Sequence, residues 1–426
     1  MASAGSRKRV LIIVQNLPVP FDRRVWLEAT TLTRAGYDVT VICPKAKGFN
    51  RSFEVLEGIR IHRYPLPIDA NGAVGFVSEF VWCFLRTIMK VVRVAATGGG
   101  FDAIHVCNPP ETYWPLGWVC RALGKRFLFD HHDLSPEMYD AKFDQPSRLI
   151  RRGLLALERE TFRAAHVVVT TNASHARIAR TRGHKRDEDI FIVRSGPDLD
   201  RLTRYPKDPQ WHQGKQYLLV YLGEICKQDG ADHLVRAVRD LRDRLARDDF
   251  HCVFVGGGPH QPVIRDYAAQ IGVADLCTFT GRVSDEMLCR ILSSADVAVD
   301  PDPLTPWSNQ STMNKIMEYM FFGLPIVAYD LAEHRVSAES AAKYAEPNNE
   351  HKLANEISEL LDDPQQRFEM GAFGRARLEE HLAWQHSTPV LLEAYDRLFN
   401  GSQAQPSGVP ARRGAAPSSV PDHHPQ

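Results

Sequence analysis

Residues 311–330, STMNKIMEYMFFGLPIVAYD, run from a polar start into an apolar segment, break at a glycine and finish as a short strand. Ser311, Asn314, Lys315 and Glu318 recur at three- and four-residue spacing and share one helix face, whereas Met313, Ile316, Met317, Met320 and Phe321 fall largely on the other. Ser311 or Thr312 is placed to cap the first turn, Gly323 to take the left-handed position after the last, and Pro325 to prevent continuation before Ile326-Val327-Ala328-Tyr329. The free N–H groups and partial positive charge of a helix start attract a phosphate, with Lys315 one turn in, and Glu318 a turn further on offers a carboxylate to a ribose. The plainer alternative is an exposed Lys315–Glu318 ion pair worth roughly a few tenths of a kcal/mol, and periodicity leaves both open.

The same alternation of helix and strand extends in both directions from this stretch. Upstream, strand-like runs at 217–222, 252–255, 278–280 and 297–299 are separated by helical spacing at 234–245, 263–271 and 286–293. Near the N-terminus, residues 10–14, 24–35 and 39–43 form a βαβ opening, which implies a parallel sheet with right-handed crossovers. Further strands are expected at 58–62, 103–106, 126–130, 167–170 and 190–193, with a long helix at 149–164. The expected fold is α/β, with two Rossmann-like, doubly wound parallel-sheet domains. Their predicted bounds are 1–200 and 217–385, joined by a polar, proline-bearing hinge at 201–216. A helix at 386–400 is expected to return to the first domain, and 401–426, rich in Ser, Pro, Gly and Ala, reads as a disordered tail.

Composition narrows the function. Of 426 residues, 44% are hydrophobic and Lys plus Arg equals Asp plus Glu at 52 each, so no global basic excess points to nucleic acid. The eight cysteines show no C-x-x-C pair and read as free thiols of a reducing, cytoplasmic protein, and the apolar run at 11–14 is too short for a signal peptide. After the first strand the loop reads QNLPVPFDRR instead of G-x-G-x-x-G, against a nicotinamide cofactor. Residues 76–96, FVSEFVWCFLRTIMKVVRVAA, carry Phe76, Phe80, Trp82 and Phe84 but are interrupted by Glu79, Arg86, Lys90 and Arg93. Such a helix belongs in the core or lies on an anionic membrane surface; it does not span one. In FDHHDLSPE, His131, His132 and Asp133 follow a strand directly, where the two rings of an extended segment point to opposite sides. Neither a Ser-His-Asp order nor a metal-ligand pattern is visible, and no metal is expected.

The ordered set YLGEICKQDGADHL, VFVGGGP, FTGRVSDE, SADVAVDPDP and NKIMEYMFFGLPIVAYD, with LIIVQNLPVPFDRRVWLEATTLTRAGYDVTVICP at the N-terminus, resembles the retaining glycosyltransferases of family 4, in particular a bacterial subgroup that builds surface polysaccharides. The resemblance implies the GT-B architecture, two such domains facing across a cleft. It implies a nucleotide-sugar donor, a UDP-sugar favoured over a GDP-sugar, and no further cofactor. The implied acceptor is a sugar or lipid-linked sugar at the inner face of the membrane. Glu318 matches the second of the family's two glutamates, which holds the ribose, while Gln310 stands in place of the first, which contacts donor-sugar hydroxyls. Glu224 and Asp229 replace basic residues, which leaves Lys227 as the nearest diphosphate candidate, with Lys315 and Arg282 behind it. By the same matching, Gly223, Ser311 and Asn314 adjoin the donor, Val283 meets the base, and His132 touches the donor sugar. Glycine-rich 256–258 fits either a ligand approach or a plain turn. A GT-B epimerase and a non-catalytic partner subunit remain as alternatives.

Overall fold

Runs of β-branched and aromatic residues buried on both faces form two parallel sheets, each flanked by helices that shield it from water. The computed structural model describes residues 7–66, 72–97 and 99–401, residues 72–77 as backbone alone. The expected tail therefore lies outside the described residues apart from Gly401, as does the Phe76 side chain.

The first sheet comprises β1 (Arg9–Ile13), β2 (Asp38–Pro44), β3 (Phe53–Leu56), β4 (Ile59–Tyr64), β5 (Ala103–Cys107), β6 (Arg126–His131), β7 (Val167–Thr170) and β8 (Ile190–Ile192). Their spatial order is β3-β4-β2-β1-β5-β6-β7-β8, parallel except for β3 against β4. The second sheet comprises β9 (Tyr217–Leu222), β10 (Phe250–Val255), β11 (Cys277–Gly281), β12 (Val297–Asp300), β13 (Ile326–Tyr329) and β14 (Ala342–Ala345), ordered β11-β10-β9-β12-β13-β14 and wholly parallel. Two strands escaped the sequence reading. β3 is a short exposed edge strand, and β14, AKYA, is too alanine-rich to signal β structure. All eight cysteines are free, and six of them are buried.

The expected hinge at 201–216 is fastened to the second domain. Arg204 donates to the Phe321 carbonyl at 2.9 and 3.1 Å, and the N–H groups of Tyr205 and Asp208 donate to the hydroxyls of Ser293 and Ser294 at 3.0 and 2.9 Å. The crossing between domains lies earlier, at Gly196, where a β-carbon would come within 1.9 Å of the Leu382 carbonyl oxygen. Beside it, Trp384 N–H donates to the Pro197 carbonyl at 3.0 Å, so the chain's two passages between domains run side by side. Past this point the helix Trp384–Asn400 packs Leu391, Ala394 and Tyr395 among Val25, Ala29 and Leu32 of the first domain.

Helix Gly72–Thr97 serves two environments. Cys83, Thr87, Val91 and Val94 are buried, whereas Val81, Leu85, Met89 and Val92 form an exposed apolar stripe. Among the described residues no helix is long and apolar enough to cross a membrane.

Candidate active site in the interdomain cleft

Both sheets reverse strand order at their middle, between β1 and β5 and between β9 and β12, and the loops after those strand ends face each other across a cavity of about 360 Å³. Arg23, Arg24 and Ser195 line it from one side, and Arg201, Gly223, Asn314, Lys315 and Glu318 from the other.

On the second-domain side, the helix begins at Asn314, not at Ser311. Residues Ser308–Gln310 form a 3₁₀ turn, the Ser311 hydroxyl donates back to the Trp307 carbonyl at 2.8 Å, and Ser311 lies two residues before the cap position. Met313 occupies the cap position without a side-chain acceptor, whereas Gly323 closes the helix in the expected left-handed conformation. This start puts Asn314 and Lys315 in the first turn, beside the unpaired N–H groups.

Lys315 and Glu318 ignore each other. The Lys315 ammonium lies 3.1 Å from Asp300 and 3.0 Å from both carboxylate oxygens of Asp302, two buried residues at the end of β12. Burial alone would lower the lysine pKa, but Asp300 and Asp302 hold it well above the ordinary value. Lys315 is therefore a compensated charge and not the free cation that the sequence suggested. Glu318 pairs across the cleft with Arg23, which also reaches Asp285 at 3.2 Å. Burial raises the Glu318 pKa despite the arginine.

Other expected residues do not converge on the cavity. Lys227 is half exposed and pairs with Asp144, Arg282 stacks 3.7 Å over the Phe21 ring, and the Gln310 amide donates to the Pro306 carbonyl at 2.8 Å. Val283 packs against the second domain's core. The 256–258 glycines serve loop packing, since a β-carbon on Gly256 would lie 1.9 Å from the Gly223 carbonyl oxygen.

On the first-domain side, Asp22 caps the helix Arg23–Arg34 by accepting from Val25 N–H at 3.0 Å, which sends Arg23 into the cleft and Arg24 inward. Arg24 grips Asp130, at the end of β6, through two 2.7 Å bonds, and donates at 2.8 Å to Ser195 and to the Val193 carbonyl. One Asp130 oxygen also holds His132 Nδ1 at 2.9 Å. Burial lowers the His132 pKa, but the Asp130 carboxylate more than offsets this and sets it above the ordinary value. Burial would raise Asp130, and Arg24 and His132 drive it well below the usual carboxylate range. His131 points the opposite way, 3.3 Å from Glu158, and burial, aided by Arg182, pushes its pKa down to about 3. Asn108 fixes the loop by accepting from the N–H groups of His132 and Asp133 at 2.9 and 3.1 Å. The domains are tied further by Trp307 donating to Asp133 at 2.9 Å and by Asn172 donating to Thr312 at 3.0 Å.

Among the described residues the tertiary structure assembles two acidic clusters that the sequence did not announce. Ligand-type atoms of Asp300, Asp302 and His334, and of Glu28, His105, Cys107 and Asp130, lie within 4.8 Å of one another. Lys315 supplies positive charge inside the first and Arg24 inside the second. Sequence reasoning missed Arg23, Arg24, Asp130, Asp300 and Asp302. The signals were a DRR directly after the first strand's loop and the DPDP at the end of β12.

Residues 22–196 match the family model described as "Glycosyl transferase 4-like domain", and residues 216–363 match "Glycosyl transferases group 1". A 2-deoxystreptamine glucosyltransferase of Streptomyces kanamyceticus is 25% identical over 80% of this chain and 89% of its own. The sucrose-phosphate synthase of Thermosynechococcus elongatus superposes with a TM-score of 0.73 at 20% identity, covering 93% of this chain and all of that one. Anabaena HepE in complex with UDP does so with a TM-score of 0.68 at 15% identity, over 92% and 100% of the two chains. Two parallel-sheet domains meeting at a cleft, with both halves matched by family models in the expected order, identify the chain as a GT-B glycosyltransferase of family 4.

Proposed function

We propose that the chain is a retaining glycosyltransferase that moves a sugar from a nucleoside-diphosphate sugar, a UDP-sugar in preference to a GDP-sugar, onto an acceptor hydroxyl without a metal ion. The observation that carries this reading is the pairing of Glu318 of the second domain with Arg23 of the first across the cleft, next to Arg24, whose partner Asp130 also holds His132. In this reading Glu318 accepts from the ribose hydroxyls after Arg23 turns aside. The N–H groups at the helix start, with Asn314, meet the diphosphate. Arg23 and Arg201, which share Asp285 at the cavity wall, stabilise negative charge as the bond to the sugar lengthens. His132, cationic through Asp130, donates to a sugar oxygen from Nε2. The leaving phosphate takes the acceptor's proton on the face from which it departs, so the anomeric configuration is kept. The complex of a structural neighbour with UDP supports the choice of donor.

The acceptor is proposed to be a sugar or lipid-linked sugar of surface polysaccharide or glycolipid assembly, met at the cytoplasmic face of the membrane. Supporting this is the exposed stripe Val81, Leu85, Met89 and Val92, flanked by Arg86, Lys90 and Arg93 on one helix, which suits apolar insertion beside anionic headgroups.

The test is turnover of a panel of UDP- and GDP-sugars with and without lipid-linked acceptors, read by mass spectrometry. Transfer with retained configuration, unaffected by chelator, is expected. A sugar epimer formed without acceptor would make the protein an epimerase, and no turnover at all would make it a binding subunit. Glu318→Ala should weaken donor binding roughly 10- to 150-fold, the scale of hydrogen bonds to a charged group. Unchanged donor affinity would remove Glu318 from the ribose. Flotation with anionic liposomes, lost in a Leu85→Asp, Met89→Asp variant, tests the membrane contact.

A further inference from the structure

A second cavity, of about 280 Å³, opens at the ends of the first sheet's strands opposite the cleft. Arg126 begins β6, and His166 directly precedes β7, whereas His132 follows the other end of β6. At about 3.3 Å per residue, β6 puts roughly 20 Å between this cavity and His132. Nothing in the proposed transfer uses it.

The cavity's charge is one-sided. Arg186 and Arg397 are compensated, each reaching both Glu188 and Asp189 at 2.8–2.9 Å. Arg121, Arg126 and Lys185 form no ion pair among the described residues. Arg121 donates to the Ala164 carbonyl at 3.2 Å and lies 5.3 Å over Trp118, and Lys185 donates to the Ala165 carbonyl at 2.7 Å. The Arg126 side chain has neither an ion pair nor a hydrogen bond among the described residues. His166 Nδ1 accepts from Phe127 N–H at 3.0 Å, which leaves its proton on Nε2. Burial, then Arg121 and Arg126, push the His166 pKa down to about 4, so the ring is a neutral donor at pH 7.

Asp189 also lines the cavity but is already shared by Arg186 and Arg397, so Arg121, Arg126 and Lys185 add a surplus of positive charge that an anion would neutralise. Burial lowers the Lys185 pKa to about 8, with Asp189 opposing and Arg121 and Arg186 adding to the fall. Guanidinium groups match phosphate oxygens in pairs, and an N–H donor adds direction. We propose that this cavity binds a multiply charged phosphate anion of diphosphate size, neutralised by Arg121, Arg126 and Lys185 and oriented by His166.

The experiment is isothermal titration of the full chain with inorganic pyrophosphate at pH 7, for the wild type and for Arg126→Ala, Arg121→Ala and Arg23→Ala. Expected is saturable binding weakened about ten-fold or more by each of the first two changes, the scale of one charge-assisted contact. Because the proposed donor site at the interdomain cleft also takes a diphosphate, Arg23→Ala should weaken only a cleft component of the isotherm and leave the Arg121- and Arg126-dependent component unchanged. Arg121 is exposed, so its variant is informative even if Arg126→Ala melts early by circular dichroism. No binding by the wild type, binding indifferent to both changes, or binding removed by Arg23→Ala would overturn the assignment. Flotation with phosphatidic acid vesicles that requires Arg126, in the absence of a pyrophosphate isotherm, would overturn it in favour of a lipid headgroup.

Discussion

The two sides of the cleft are built alike and deliver different chemistry. In each domain a buried strand at the centre of the sheet or beside it ends in a carboxylate, and a helix facing it supplies one cation: Asp300 and Asp302 with Lys315, Asp130 with Arg24. In the second domain the compact ammonium is enclosed by two aspartates, and the unit is self-contained. In the first, Arg24 satisfies Asp130 with its planar fork while one carboxylate oxygen also holds His132, whose ring is 18% exposed. Asp300 likewise reaches a histidine, His334, but that ring is fully buried, so the two ion pairs differ in whether the carboxylate holds a partly exposed ring or an enclosed one.

The most damaging way to break this comparison is Lys315→Met. If Lys315 is scaffold, the change strands two buried aspartates and costs about 3–5 kcal/mol of stability, read as a large fall in urea midpoint. A variant as stable as the wild type but slow in transfer would show that Lys315 acts on the donor and that the two clusters are alike after all.

Asp130→Asn tests the other side. Without the carboxylate the His132 pKa falls, and kcat/KM should drop by roughly 10² at neutral pH, in the range of a lost acid–base contribution. The pH profile should show it more clearly: a cationic His132 is needed below its pKa, so the limb on which activity falls with rising pH moves to lower pH. An unmoved limb, with only a uniform loss, would reduce Asp130 to a structural role.

The neighbouring rings sharpen the contrast. His131 has a folded pKa of about 3, below the unfolded value of about 6.5, so its neutral form contributes fully above pH 6.5 and that contribution is lost as pH falls toward 3. Acidification from pH 7 to 5 should therefore cost about 2 kcal/mol through His131 alone, and His131→Gln should flatten the dependence of the urea midpoint over that range. His132, raised by Asp130, has the opposite sign and should not add to this loss.

The smallest expected effect is at Gln310. Its amide is engaged with the Pro306 carbonyl and lies outside the cavity wall, so Gln310→Ala should change donor ranking and rate by less than about two-fold, as at other surface positions. A reordered set of products in a competition among donor sugars would return Gln310 to the sugar pocket.

By itself the sequence determined the repeating βα grammar, the two sheets, the glycine stop of the helix at 314–322 and the opposite aim of His131 and His132. Each is a local matter of periodicity, turn chemistry or strand alternation, which neighbours in the chain decide among themselves. What it could not show was which charges meet. Lys315 and Glu318 are spaced as an ion pair, yet Asp300 and Asp302 claim the one and Arg23, 295 residues away, claims the other. Lys227 looked like the diphosphate cation and turned to Asp144, and the polar stretch at 201–216 looked loose and is bonded down. Pairing among distant side chains depends on which strand ends the two sheets bring together and on how deeply each charge is buried. Only the tertiary structure fixes these, because the energy of a charge in this fold is set by its partners and its solvent more than by its place in the chain.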